Sequence, residues 1–447
     1  MKTVLFWFRN DLRLHDQIAL YTALQSGAQH LVPIYCHDDP HQTTAWGFGR
    51  IGIHRRRWTQ AAVQDLREQL SALGCPLIEC QRSVDAVLPE IARIAGTQEI
   101  FCEEIAAPDE QDAVKKLQAA GLKVHTVWQS SLLNPAQLPW PKEGLPASFT
   151  PFRQAIEREK IQPPNPLPLP GHLPPWPAGI ARTLTAMDGI SLGSGRTNAP
   201  LDVPLPDPRS SFPYTHPDFN GGQTAALAHL RRYLAQGRPH SYKQTRNDLT
   251  GLHYSSKWSP WLATGALSPR QAMSELRQFE DQRGASEGSY WLWFELLWRD
   301  YFRFLHLQYG RKLYRSRGLK VDVENAPPLR LASGHNPQGF ARWCEGRTGK
   351  PLVDAAMREL SATGFLSNRL RQVVASYLIN ELKGDWRAGA AWFESQLLDY
   401  DPYSNQGNWL YIAGLGTDPR GGRHFNIEKQ ARQYDPDGHY QRLWENG

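Results

Sequence analysis

The sequence predicts an α/β domain built on a parallel sheet, joined by a long proline-rich connector to an all-helical domain. Three observations carry that prediction. Residues 1–130 alternate short β-branched or aromatic runs with helical apolar spacing, the pattern of stacked βαβ units. Nineteen of the 34 prolines fall between Ser131 and Pro217, where missing backbone donors keep regular elements short. From Thr224 onward the apolar spacing is helical almost throughout. Domains at 1–130 and 219–447 with a connector at 131–218 follow, since 447 residues exceed what one hydrophobic core usually organises.

In the first domain, strands are expected at Thr3 to Trp7, Leu31 to Tyr35, Leu77 to Cys80, Glu99 to Cys102 and Lys123 to Trp128. Helices are expected at Arg57 to Leu73, Ser83 to Ile94 and Asp109 to Ala120, so that right-handed crossovers bury both faces of the sheet. The turn after the first strand, Phe8 to Leu14, has no G-x-G-x-x-G to bring backbone amides against a pyrophosphate; dinucleotide binding of the Rossmann kind is not expected there. The connector carries PPNPLPLP at 163–170. One short helix, Gln154 to Lys160, is expected within it, and the rest should wrap a domain surface in extended form.

Composition excludes several classes. Lys+Arg 50 against Asp+Glu 44 gives a formal charge of +6, which admits a polyanionic partner without requiring one. The five cysteines are odd in number and form no C-x-x-C pair, arguing against a disulfide framework or a zinc site and for a reducing cytoplasm; no metal is expected. The apolar run Val4 to Phe8 stops at Arg9, too short for a secretory segment, and no later run approaches membrane-spanning length. A monomer with no membrane association is expected.

Ten of the sixteen tryptophans follow Pro239, so aromatic chemistry belongs to the helical domain. Trp386 and Trp409 bracket Asp399, Asp401 and Asn405. Indoles can pass single electrons, and carboxylates with an amide in an apolar shell can grip a polar cofactor edge; a packed core followed by an ordinary Asp-x-Asp turn is the structural alternative. Ser255-Ser256-Lys257-Trp258-Ser259-Pro260 offers hydroxyls, amides and a cation to an anion, or else simply caps a helix. On a helix, Trp291, Glu295, Trp298, Arg299 and Phe302 share one face. That face suits either a flat, polar-edged ligand or a buried helix with internal ion pairs. Asn368, Arg371 and Gln372 project together, and Arg371 is also a candidate partner for Asp399.

Together these segments resemble the photolyase/cryptochrome family over nearly the whole chain: RNDLRLHD at the start, SSKWSPWLATGALSPR, ELLWRDYF, GKPLVDAAMRELSATGFLSNRLRQ and LDYDPYSNQGNW. WRDYFRF at 298–304, Gln372 after Arg371, Tyr411 two residues after Trp409, and DPRGGRHFNIEKQARQYDP at 418–436 are similar to the DASH branch.

The resemblance implies FAD in the helical domain and a Rossmann-like photolyase domain as scaffold and antenna. It implies that Tyr242, Ser255, Ser256, Lys257, Trp258 and Ser259 hold the phosphates and that Asn405 faces the flavin. Asp399 and Asp401 edge the ring, with Arg371 pairing Asp399. Glu295, Trp298, Asn368, Gln372 and Tyr411 line the pocket for a flipped-out pyrimidine dimer, and Arg246, Arg299, Arg369 and Arg423 contact DNA phosphates. Blue or near-UV light then drives an electron from reduced flavin into a cyclobutane dimer, preferentially in single-stranded DNA, with no net redox change. RNA is left open as a further partner. Trp409 and Trp386 fit the inner and middle places of an electron relay, whose outer place falls near Leu331 to Asn336, with Trp343 or a tyrosine as substitutes. The antenna implied is 5,10-methenyltetrahydrofolate, held by Glu103 or Glu104 with the loop Trp46 to Arg50.

Two other functions stay open on sequence. One is a blue-light photoreceptor that binds DNA or RNA without repair; the dimer-pocket residues, and the lack of a long tail after Trp444, favour catalysis over it. The other is a flavin-free single-strand binder with stacking tryptophans.

Overall fold

Strand β1 (Thr3–Phe8) is buried along its whole length and divides the core of the first domain in two. In the computed structural model, which describes residues 1–140, 144–192, 207–320, 336–418 and 421–445, Val4, Phe6 and Phe8 pack with Ala19 and Leu20 of α1 (Ile18–Gln25) and Val63 and Leu66 of α2 (Ile53–Ala72). Leu5 and Trp7 point the other way, onto Val87, Leu88 and Ile91 of α3 (Val84–Ala95) and Leu117 of α4 (Pro108–Ala119). The period-2 alternation of a strand buried on both faces produces this division.

Strands β2 (His30–Cys36), β3 (Ile78–Cys80), β4 (Glu99–Glu103) and β5 (Lys123–Val127) run parallel to β1 in the order β5-β4-β1-β2-β3. The five expected strands therefore form within a residue or so of their expected ends. α1 was not anticipated, and α2 starts at Ile53, ahead of the expected Arg57. A sixth strand, β6 (Ile190–Leu192), comes from the connector and pairs antiparallel with β3 through Cys80 and Ile190. Its three residues are too few for a period-2 signal.

Among its described residues the connector holds two α-helices, α5 (Phe149–Arg158) and α6 (Ile180–Thr185). α5 begins five residues before the expected Gln154 because Phe149, Phe152, Ala155 and Ile156 make one buried face. Pro151 falls in its first turn, where a missing N–H is tolerated. Between the helices the chain is extended and clings to the sheet domain, Asp16 N–H donating to Leu167 O at 2.9 Å and Leu31 N–H to Pro175 O at 3.3 Å.

The C-terminal half comprises α7 (Gln223–Ala235), α8 (Tyr242–Thr245), α9 (Ser259–Ala263), α10 (Pro269–Arg283), α11 (Glu287–Tyr309), α12 (Pro337–Cys344), α13 (Pro351–Thr363), α14 (Asn368–Asn380), α15 (Trp386–Gln396), α16 (Pro402–Ala413), α17 (Ile427–Tyr434) and α18 (His439–Leu443). Side-chain caps fix the helices that matter most: Ser286 and Ser289 form a reciprocal box at the start of α11, and Ser367, Asp385 and Asp401 cap α14, α15 and α16.

The glycine-free turn after β1 joins the two halves. Leu12 N–H donates to Thr264 O at 3.0 Å and the Arg13 guanidinium to Gly265 O at 2.9 Å. Gly265 has φ +69°, and a Cβ there would overlap the Asn10 carbonyl; the close approach requires glycine. Trp58 of α2 completes the joint by packing edge-on to Trp261 at 5.5 Å. Among the described residues no helix is long and apolar enough to cross a membrane.

Candidate functional site

A cavity of about 420 Å³ opens between the α8–α9 loop, α11, α14 and the start of α16. Its wall brings together Tyr242, Arg246, Ser255, Ser256, Lys257, Trp258, Ser259, Glu295, Trp298, Arg299, Asn368, Arg371, Gln372, Asp399, Asp401 and Tyr411, which lie in five separate stretches of sequence. A recess of about 70 Å³, sharing Asn368, Arg371, Gln372, Asp399 and Asp401, adds Asn405 and Trp409.

The floor keeps polar atoms in reserve. Lys257 is 2 % exposed, adopts φ +57° and holds its Nζ 3.3 Å from the Tyr254 ring centre with no hydrogen-bond partner. Burial pushes its amine well below the usual lysine range. Trp258 Nε1 and Asp399 Oδ1 are likewise buried and unpartnered. The other Asp399 oxygen accepts from Arg371 at 2.8 Å, while Arg371 Nε donates to Leu366 O. Asn405 donates to Ala390 O at 3.0 Å, leaving its carbonyl oxygen free for another donor.

Asp401 lines both the cavity and the recess, and each of its oxygens already has a partner. One caps α16 by accepting Ser404 N–H at 2.7 Å and the other accepts from Arg303 at 2.5 Å. Burial opposes ionisation, but Arg303 and Arg299 outweigh it and hold the carboxyl at about 2. Arg303 sits one turn beyond Arg299 in the WRDYFRF stretch, and nothing local in the sequence separates their roles.

At the mouth, side chains are already paired with one another. Glu295 forms an ion pair with Arg246, whose guanidinium lies 4.7 Å over the Trp291 ring; burial pushes the Glu295 carboxyl up, and Arg246 pulls it back. The Trp298 ring stacks on Phe149 at 3.8 Å and meets Tyr411 edge-on at 5.7 Å. The Tyr411 hydroxyl accepts from Arg423 at 2.5 Å, and Arg423 also pairs with Asp418 at 2.7 Å. Arg369 reaches Gln372 at 3.2 Å and Asn247 at 3.1 Å while lying 4.8 Å over Tyr434. Asn368 is exposed at the start of α14.

Arg299 does not fit the phosphate contact expected of it. Its guanidinium turns inward to Ser130 O at 2.6 Å and Leu262 O at 3.1 Å, and burial together with Arg303 pushes it down to about 9. Phe149 escaped the sequence reading because it arrives from the connector, where no periodicity marks a site.

Trp409 is buried in the recess with its ring centre 6.4 Å from Trp343 and 5.1 Å from Phe393. Gly389, one turn beyond Trp386 on α15, permits close packing here, since a Cβ would overlap the Trp409 ring. Trp386 donates Nε1–H to Ser316 O at 2.9 Å and lines a second groove, of about 500 Å³, between the two halves. Of the expected outer relay place, residues 331–335 lie outside the described residues.

Trp46 and Arg50 line that groove, but Glu103 and Glu104 do not. The last residue of β4, Glu103, is 1 % exposed. Burial and the neighbouring Asp11 push it up to about 8 against the pull of Arg13, Arg9 and Arg303. Glu104 continues the pairing to β5 through its N–H. The acids on the groove are Asp109, Glu110 and Glu394, with Arg50 bridging Asp109 at 2.8 Å and Glu394 at 2.7 Å. Asp109 and Glu110 begin the helix after β4, at the carboxyl end of the sheet where ligands bind in open α/β folds; that rule could have selected them from sequence.

Residues 291–445 match the FAD binding domain of DNA photolyase and residues 4–171 match the DNA photolyase family. The class is thus one in which a helical FAD-binding domain follows a parallel-sheet domain. Cryptochrome DASH of Synechocystis is 42% identical, covering 99% of this chain and 87% of that one, and cryptochrome DASH of Xenopus laevis is 41% identical, covering 99% and 82%. The crystal structure of a Synechocystis cryptochrome superposes with a TM-score of 0.86 at 42% identity, covering 99% of this chain and 88% of that one. A bacterial class III photolyase from Agrobacterium tumefaciens gives 0.75 at 26% identity, covering 99% and 86%. The chain belongs to the photolyase/cryptochrome family, as a cryptochrome of the DASH type.

FAD is the cofactor of such a domain, and the cavity suits it. A buried amine, an indole N–H and a carboxylate oxygen, all unpartnered among the described residues, face the same space. These are the donors and the acceptor that a diphosphate and a flavin ring edge require.

Proposed function

We propose that the protein is a light-driven lyase that splits cyclobutane pyrimidine dimers in DNA, with single strands preferred. One observation carries this reading: a single cavity joins a floor of unpartnered polar groups to a mouth made of Glu295, Trp298, Asn368, Gln372 and Tyr411. Reduced FAD, when bound, supplies an electron on absorbing blue or near-UV light.

The chain's own residues do the rest. Tyr242, Ser255, Ser256, Lys257, Trp258 and Ser259 would hold the phosphates, and Asn405 with the Arg371–Asp399 pair would meet the ring edge. Asp401 would act through Arg303 by fixing the start of α16. Trp298 offers a stacking face to a base, worth about 1–3 kcal/mol. Glu295, favoured in its protonated form by burial, can donate to a pyrimidine carbonyl. Arg246, Arg369 and Arg423 would reach phosphates by exchanging their present partners. Trp409 and Trp386 would carry electrons between the recess and the interdomain groove.

A dimer must leave the base stack to enter the cavity, which costs a few kcal/mol, and least in single strands. Light-dependent splitting should therefore be faster on dimer-containing single strands than on duplexes of the same sequence. Equal rates would remove the preference, and a yellow protein that splits neither would leave the photoreceptor reading in its place.

The domains divide the work: 219–447 for chemistry, 1–130 for scaffold and antenna, and 131–218 as a brace. The net positive charge and five unbridged cysteines accord with a cytoplasmic, nucleic-acid-binding monomer, with RNA a further partner. A 5,10-methenyltetrahydrofolate antenna fits the groove at Trp46 and Arg50, with Asp109 and Glu110 in place of Glu103 and Glu104. A near-UV absorption band beyond that of FAD, lost in Glu110→Gln, is the expected sign; a spectrum unchanged by that substitution would exclude it.

A further inference from the structure

Directly behind the cavity floor lies a buried polar chain that ends in the wall at Tyr254 and Lys257 and whose remaining members, Ser211, Glu359 and Tyr440, stand behind it. Glu359 of α13 is 1 % exposed. Its carboxylate accepts from the Tyr440 hydroxyl of α18 at 2.6 Å and from Ser211 Oγ at 3.4 Å. Ser211 in turn lies 3.5 Å from the Tyr254 hydroxyl, and Lys257 Nζ sits 3.3 Å from the centre of the Tyr254 ring. One phenol thus separates an acid from an amine, both buried.

The surroundings of the amine are mostly unfavourable to charge. Arg371 of α14, with His229 of α7 and His253 of the preceding loop, faces it; Phe365 lies 4.9 Å away; Glu359 is the acid whose field reaches it. Isolated ammonium groups are strongly disfavoured in such places, whereas an ammonium beside an anion is not. A diphosphate against Lys257 supplies that anion from the cavity side, and Glu359 supplies a weaker one from behind.

We propose that Glu359, held by Tyr440 and Ser211, is a positioning residue for the phosphate cradle, and that a dinucleotide diphosphate enters the cradle together with one proton taken from solvent onto Lys257. This rests on FAD being the ligand of the cavity. The sign follows from linkage. Lys257 is depressed when alone and raised by the bound diphosphate, so affinity is greatest below its ligand-free value. It weakens by about tenfold per pH unit between the ligand-free and bound values. Burial pushes Glu359 up to about 7, opposed by Tyr440 and Lys257; neutralising it withdraws the rear anion and moves the whole window to lower pH.

The test uses the flavin-loaded protein, diluted to equilibrium across neutral to alkaline pH, with released flavin read by its fluorescence. Wild type should release flavin increasingly as pH rises. Lys257→Met, which places an apolar chain in an apolar site and should fold, should bind weakly with a flat profile. Glu359→Gln should keep the slope and shift it down by about one pH unit. The slope surviving in Lys257→Met would overturn the proton coupling, and an unshifted window in Glu359→Gln would overturn the role of Glu359. A protein purified without flavin would instead overturn the FAD reading itself.

Discussion

The mouth and the floor of the cavity handle charge in opposite ways. At the mouth, Arg246 holds Glu295, Arg423 holds Tyr411 and Arg369 holds Gln372, so three of the polar side chains meant for a substrate already have an intramolecular partner. On the floor, Lys257, Trp258 and Asp399 each keep an atom with no partner among the described residues. Groups that meet a resident cofactor once can stay unpaired, because the ligand is nearly always present to satisfy them. Groups that meet a transient substrate must be satisfied between turnovers, and exchanging one partner for another keeps binding reversible.

The largest effect expected from this difference is at Asp399. Asp399→Asn leaves the Arg371 guanidinium facing an amide in a site where the carboxylate side chain is 1% exposed. Breaking such a pair costs about 3 kcal/mol, the low end for buried pairs because Arg371 keeps some solvent contact. Flavin affinity should fall about 100-fold, read as the ratio of flavin to protein absorbance after purification, and the unfolding midpoint should drop with it. Wild-type flavin content in this variant would erase the distinction between floor and mouth.

How much of this was legible in the sequence depends on the range of the interaction involved. The division of β1 between two cores follows from alternation inside six residues. The Arg371–Asp399 pair was foreseeable because a half-buried arginine on a helix needs an acid, and few are near. Lys257 stayed ambiguous between cap and cradle: its left-handed backbone, which turns the amine inward over Tyr254, has no signature in Ser-Ser-Lys-Trp-Ser-Pro. Arg299 shares a helix face with Trp298 yet bends to the carbonyls of Ser130 and Leu262, and Phe149 comes from the connector to cover Trp298. Glu103 lies off the groove because the register of β4 turns its side chain into the interior. Arg299 and Phe149 answer to partners more than a hundred residues away and Glu103 to a one-residue choice of face, neither of which local periodicity encodes.

Glu295 sharpens the comparison from the other end. Glu295→Gln preserves shape and one hydrogen-bonding arm but removes the charge that holds Arg246, whose guanidinium can then settle further onto Trp291. None of the floor groups touches Glu295, so flavin content should match wild type. The loss falls on substrate, since a carboxyl that burial makes less acidic becomes an amide with a different donor direction. A hydrogen bond in a charged setting is worth about 1.5–3 kcal/mol, so dimer affinity or splitting should fall about 10- to 100-fold. Binding of an undamaged single strand should change little, because phosphate contacts rather than Glu295 dominate it. Flavin loss in Glu295→Gln, or equal weakening on damaged and undamaged strands, would show that mouth and floor form one continuous unit and not two surfaces with separate tasks.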